Sequence, residues 1–178
     1  FAKMGVENTT MNDIALASKK GRRTLYTYFK SKEDIYMAVV ESELDMLSDM
    51  MKRVAEKNIS PDEKMIEMIY TRLDAVKEVV FRNGTLRANF FRDIWRVEKI
   101  RKNFDIRETE LIQGILEAGV KEGIFAMPDT EITAVVLHHA LKGLEVPYIR
   151  GIMGDNISQR IKRRDNVMNL IFNGIKIK

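Results

Sequence analysis

Apolar positions recur at three- and four-residue intervals through most of the chain, the spacing of amphipathic helices rather than strands. Between Thr9 and Ile35 two short elements of this kind flank a turn. Thr10 followed by Asp13 is a capping-box-like start. Met11, Ile14, Ala15 and Ser18 then fall on one small or apolar face. Gly21 breaks the pattern, either as the cap of the next helix or as a left-handed turn residue. Leu25 and Phe29, four apart, give that next helix its inner side, with Arg22, Arg23 and Thr24 at its exposed start. Ser31 with Asp34 restarts the chain as a long helix, Glu33 to Lys57. Its apolar residues (Ile35, Val39, Val40, Leu44, Leu47, Met51, Val54) occupy more than one face, which suits a helix shared by two halves of a protein.

Further helices follow, with readable punctuation. Ser60 and Pro61 are a cap and a first-turn proline, opening a helix to about Arg82 that stops at Asn83-Gly84. Thr85 to about Lys102 reads as the next, carrying Phe90, Phe91, Ile94 and Trp95. About Asp105 to Lys121 reads as a separate one, with Ile106, Leu111, Ile115 and Val120 inward. Met127-Pro128-Asp129 caps a helix from Thr130 to about Ile149, and a last one covers about Ser158 to Gly174. The expected fold is all-α: an N-terminal helix-turn-helix domain over 1–36 and a C-terminal helical domain over 37–178.

Charge sharpens this picture. The net charge is +4, but residues 1–34 hold seven basic and four acidic residues against 23 and 22 in the rest. From Ala17 to Lys32 there are six basic residues and no acidic one. Basic side chains interleaved with Thr24, Tyr26, Thr27 and Tyr28 make a phosphate-docking surface. The chain has no cysteine, so disulfides are excluded and a cytoplasmic location is expected. No apolar run approaches a membrane span, and no membrane partner is expected. There is no phosphate-cradling glycine loop, HExxH, GxSxG or cysteine ligand set. A non-enzyme without cofactor or metal is therefore expected.

At TTMNDIA (Thr9 to Ala15) and RRTLYTYFKSKEDIY (Arg22 to Tyr36) the chain resembles the TetR family of one-component transcriptional regulators. The resemblance is specific over Phe1 to Val40. It continues more weakly at GVKEGIF (Gly119 to Phe125) and ALKGLEVP (Ala140 to Pro147). It implies that Arg22, Arg23 and Thr24 open a recognition helix, that Tyr26 and Tyr28 contact DNA backbone and bases, and that Lys32 touches phosphate. With Thr10 and Thr27 these form the expected DNA-binding set. The turn departs from the family, with Lys19 where a glycine is common and Lys20 where a small apolar residue is. The family's first helix is longer, so residues before Phe1 are expected.

The resemblance also implies an apolar effector cavity in the middle helices, with Tyr70, Phe90, Phe91, Trp95, Phe104 and His138 as candidate lining. Ordinary core packing explains aromatic residues at helical spacing equally well, and a satisfied structural role explains His138. Ile132, Val135, Val136 and Leu144, with Val167, Met168, Leu170, Ile171, Phe172 and Ile175, make the last two helices strongly apolar. They serve either as a homodimer interface or as each chain's own core. The expected partners are a double-stranded DNA operator, an unidentified small-molecule effector and a second copy of the chain. The expected function is a homodimeric repressor released from a palindromic operator by ligand. The alternative is a dimeric DNA-binding regulator without a small-molecule effector.

Overall fold

A computed structural model of the chain describes residues 1, 3–82, 94–152 and 169. Every regular element among them is an α-helix: α1 (Gly5–Asn8), α2 (Met11–Ser18), α3 (Arg22–Tyr28), α4 (Lys32–Ala55), α5 (Pro61–Arg82), α6 (Ile94–Lys121) and α7 (Thr130–Ile149). Phe90, Phe91, the side chain of Trp95, and the expected last helix with Val167 to Ile175 lie outside the described residues.

Most boundaries follow from local chemistry. The Thr10 hydroxyl accepts from the Asp13 N–H at 3.2 Å, and the Asp13 carboxylate accepts from the Thr10 N–H at 2.8 Å, a complete capping box. Ser31 and Asp34 do the same for α4, at 3.1 and 3.0 Å. Pro61 takes the first position of α5, where its missing N–H costs nothing. Ser60 before it bonds Glu63 through both its N–H and its hydroxyl. The Asp129 carboxylate accepts from the Ile132 N–H at 2.9 Å to start α7.

One expected break is absent. The chain does not stop at Asn103-Phe104-Asp105, and α6 runs through it to Lys121. Asp105 looks like a cap in isolation, but its carboxylate faces Lys142 of α7 at 3.3 Å, a tertiary pairing that local pattern does not contain. Ile106 and Val120 of α6, expected inward, are exposed, and Leu111 is half-buried. Only Ile115 of that set is buried, beside Ile112 and Leu116. The buried stripe of α6 is rotated from the expected one because Phe104 and Glu108 set it.

Packing divides the chain into two compact units. The first contains Phe1–Met46 and Glu78–Phe104. In it Met11, Ala15 and Leu25 form one buried cluster, with Ile14 and Ile35 against it. Tyr36 and Val40 form another, covered by Phe1, Val6, Met37, Leu44, Val79 and Ile100. The second contains Leu47–Lys77 and Asp105–Lys178. Its buried side chains include Leu47, Met51, Val54, Met65, Met68, Ile69, Phe125 and Leu141. Helix α4 contributes residues to both, and its buried positions 36, 40, 47, 51 and 54 keep helical spacing across the boundary.

Candidate functional site

The turn of the helix-turn-helix, in the first unit, carries the one positive-φ residue other than glycine among those described. Lys19 sits at φ 53° and ψ 33°, the left-handed region. The N–H of Lys20 bonds the Ala15 carbonyl at 3.0 Å and that of Lys19 bonds Leu16 at 3.2 Å, the two bonds of a Schellman cap. Gly123 closes α6 with the same two bonds, at φ 71°. Gly21, read either as the cap of the next helix or as a left-handed turn residue, is the cap: it is extended (φ −66°, ψ 141°) and N-caps α3. A lysine in the left-handed region bears steric strain of about 1–2 kcal/mol, partly offset by the greater unfolded-state entropy of glycine. Lys19→Gly is therefore expected to raise stability by about 0.5–1 kcal/mol, which thermal denaturation would show as a rise of about 1–4 °C. A fall would mean that the Lys19 side chain is itself a stabilising group.

Helix α3 buries one residue, Leu25, while Phe29 is half-buried. Arg22, Arg23, Thr24, Tyr26, Thr27 and Tyr28 are all exposed. Arg22 and Arg23 occupy its first turn, where no acidic residue competes for them. The Thr27 hydroxyl donates back to the Arg23 carbonyl at 3.2 Å. The Arg22 guanidinium lies 5.5 Å from the Tyr26 ring centroid. Thr10 spends its hydroxyl on Asp13 at 2.6 Å. That bond, then the one from the Thr10 N–H, hold the Asp13 carboxyl below the ordinary carboxylate range. The folded value is the lower one, so this cap stabilises above the ordinary range, and the contribution is lost as pH falls through the lowered value. Lys32 is half-buried and donates to the Glu7 carbonyl at 2.8 Å, tying the start of α4 to the end of α1.

The first unit also contains an open cavity of about 480 Å³. Ser31, Glu33, Asp34 and Met37 line it from the start of α4, and Lys99 and Ile100 from α6. None of the expected effector residues is among them. Of those, Phe104 is buried in the first unit, while Tyr70 (half-buried) and His138 (buried) belong to the second.

In the second unit the sequence had hidden a buried charge network. Arg72 of α5 is fully buried and donates through Nε to Glu108 of α6. Its Nη2 faces Glu145 of α7 at 2.8 Å, and its Nη1 donates to the Leu141 carbonyl at 3.4 Å. His138 of α7 places Nδ1 2.7 Å from the second Glu108 oxygen and Nε2 3.8 Å from Asp105. Carboxylates beside bases read as solvated helix surface, and nothing local distinguishes Glu108 or Glu145 from that default. The one available signal is spacing: Leu141 and Glu145 share a face, as do Phe104 and Glu108. Donor atoms of Asp105, Glu108 and His138 lie within 4.8 Å of one another, the residue types of a divalent-cation site. The pairing favours ion pairing instead. The two imidazole nitrogens face different carboxylates, and Arg72 and Lys142 take the remaining oxygens.

On α7, Ile132, Val135 and Val136 are exposed. With His139, Ala140 and Gly143, also exposed, they follow helical spacing along one face. Leu144 is half-buried, and the inner face is Ala134, His138, Leu141, Glu145 and Ile149. Among the described residues no helix is long and apolar enough to cross a membrane.

Residues 1–39 match the family described as bacterial regulatory proteins, tetR family. Over nearly its whole length the chain is similar to the HTH-type transcriptional regulator QacR of Staphylococcus aureus, at 21% identity across 98% of this chain and 92% of that one. In fold it is similar to a transcriptional regulator from Cytophaga hutchinsonii, with a TM-score of 0.76 and 24% identity over 99% of this chain and 92% of the other. It is also similar to the transcriptional regulator FadR from Bacillus subtilis in complex with stearoyl-CoA, with a TM-score of 0.66 and 18% identity over 97% and 92%.

Proposed function

We propose that this chain, whose residues 1–39 match the tetR family and which is similar to HTH-type transcriptional regulators, is a DNA-binding transcriptional regulator that works as a homodimeric repressor released from a palindromic operator by a small molecule. The observation that carries the reading is the exposed, acid-free face of α3, with Arg22 and Arg23 at its N-terminal end. That end of a recognition helix meets base edges in the major groove. Arg22 or Arg23 bonds a guanine edge bidentately, with Tyr26 beside Arg22 in the same DNA-contacting set, while Thr10, Thr24, Thr27, Tyr28 and Lys32 set register on phosphates. Residues 1–36 are the DNA-binding domain and 37–178 the effector and dimerisation domain. The exposed Ile132, Val135 and Val136 supply one half of the dimer face. A single chain that leaves them in water favours an interface over a private core. A dimer reads two half-sites and gains affinity from both.

The effector domain takes a mostly apolar molecule, with Tyr70, Phe90, Phe91, Trp95, Phe104 and His138 as the candidate contacts that the family resemblance implies. FadR is bound to stearoyl-CoA, whose acyl chain is apolar. Ligand binding tilts α4, which contributes to both units, and alters the separation of the two α3 helices. Coupling of about 1–3 kcal/mol lowers operator affinity about 5–150-fold. Operation in the cytoplasm follows from the DNA partner. Arg22→Ala or Arg23→Ala is expected to cost about 1–3 kcal/mol of sequence discrimination, measured as the affinity ratio for operator and scrambled duplexes. Lys20→Ala should instead weaken both duplexes alike. Discrimination unchanged in both arginine variants would refute the base-reading assignment.

A further inference from the structure

We propose that Tyr26 acts on DNA through Arg22, as a positioning residue that holds the guanidinium for base reading, rather than as a phosphate ligand. The proposal rests on the reading of Arg22 given above. Arg22 and Tyr26 are four apart on α3, so their side chains lie on the same helix face. The guanidinium carbon sits 5.5 Å from the ring centroid, within cation–π range. Nη2 donates to the Tyr26 hydroxyl at 3.5 Å, so the same ring is engaged at its face and at its tip. No acidic side chain lies between Ala17 and Lys32 to draw Arg22 elsewhere. An exposed arginine otherwise samples many rotamers, and ordering it at the DNA surface opposes binding. The contact with Tyr26 restricts it beforehand and leaves its other N–H donors available for a guanine edge. Tyr28 is far more exposed, at 77% against 46% for Tyr26, and six positions from Arg22 it lies off this face.

A double-mutant cycle tests this on the full chain. The probes are a duplex selected from a random-sequence pool and the same duplex with each guanine replaced in turn. Tyr26→Ala is expected to reduce discrimination at the Arg22-dependent guanine about fivefold, and to have little effect in an Arg22→Ala background. Tyr26→Phe, which keeps the ring, should retain most of the discrimination. Far-UV circular dichroism of each variant separates these effects from loss of α3. The proposal is overturned if the two substitutions act additively. It is equally overturned if Tyr26→Phe and Tyr26→Ala weaken matched and mismatched duplexes alike, the mark of a phosphate contact. Discrimination untouched by Arg22→Ala would instead remove the base-reading premise, and the proposal with it.

Discussion

Arg72→Ala is expected to destabilise the protein by about 3–5 kcal/mol, the cost of breaking a buried ion pair by removing one partner. For a chain of this size that is a fall in melting temperature of roughly 6–20 °C. Arg72 has no exposed surface, and Glu108 and Glu145 beside it are buried as well. One guanidinium answers both carboxylates and the Leu141 carbonyl, and so joins α5, α6 and α7. Its removal strands two carboxylates away from water, with His138 on one oxygen of Glu108 as partial relief. Arg72→Lys is expected to recover only part of the loss, because an ammonium cannot form the fork that addresses both acids. The triple change Arg72→Met with Glu108→Gln and Glu145→Gln should lose less than Arg72→Ala, since both carboxylates go together with the guanidinium that pairs them. Urea denaturation of the four proteins measures this. A loss below about 1 kcal/mol for Arg72→Ala would mean that the network is open to solvent.

Phe125→Ala is expected to cost about 3–5 kcal/mol, the usual result of deleting a buried phenyl ring. Phe125 is 1% exposed and follows the left-handed Gly123 that closes α6. Its N–H, like that of Ile124, returns to the Gly119 carbonyl, which folds the chain back over the helix end. The ring then lies where a side chain at residue 119 would be: an added Cβ would meet its Cδ2 at 2.1 Å and Cε2 at 2.5 Å. Gly119→Ala is thus expected to cost about 1–3 kcal/mol by overpacking, against a helix-propensity gain of about 1 kcal/mol. In the Phe125→Ala background the clash is gone, and Gly119→Ala should become neutral or stabilising. Thermal melts of the two single variants and the double variant read this coupling. Additive losses would place the ring elsewhere.

Helix ends were legible wherever a side chain bonds the backbone a few residues away. Thr10 with Asp13, Ser31 with Asp34, Ser60 with Pro61 and Asp129 before Thr130 all cap where their spacing predicts. The helix-turn-helix was legible for the same reason, together with its lopsided charge and the family resemblance at Thr9 to Tyr36. What escaped depends on partners far along the chain. Asp105 reads as a helix start until Lys142, 37 residues on, is placed against it. Arg72 and Glu108 are 36 residues apart, and neither carries a local sign of burial. Ile106 and Val120 satisfy helical periodicity yet face outward, because the buried charges take inward positions that a purely apolar pattern assigns to hydrophobes. Lys19 escaped for an opposite reason: two backbone bonds close the turn firmly enough to hold a residue that avoids left-handed geometry.

Fluorescence anisotropy on the DNA upstream of the protein's own gene, against a scrambled duplex, is the direct measurement of specific DNA binding. At two salt concentrations the upstream duplex is expected to bind saturably, with a preference over the scrambled one that persists at the higher salt, as base contacts require. Equal binding to both duplexes that collapses together as salt rises would show phosphate attraction alone, and would contradict the assignment of α3 as a base-reading helix.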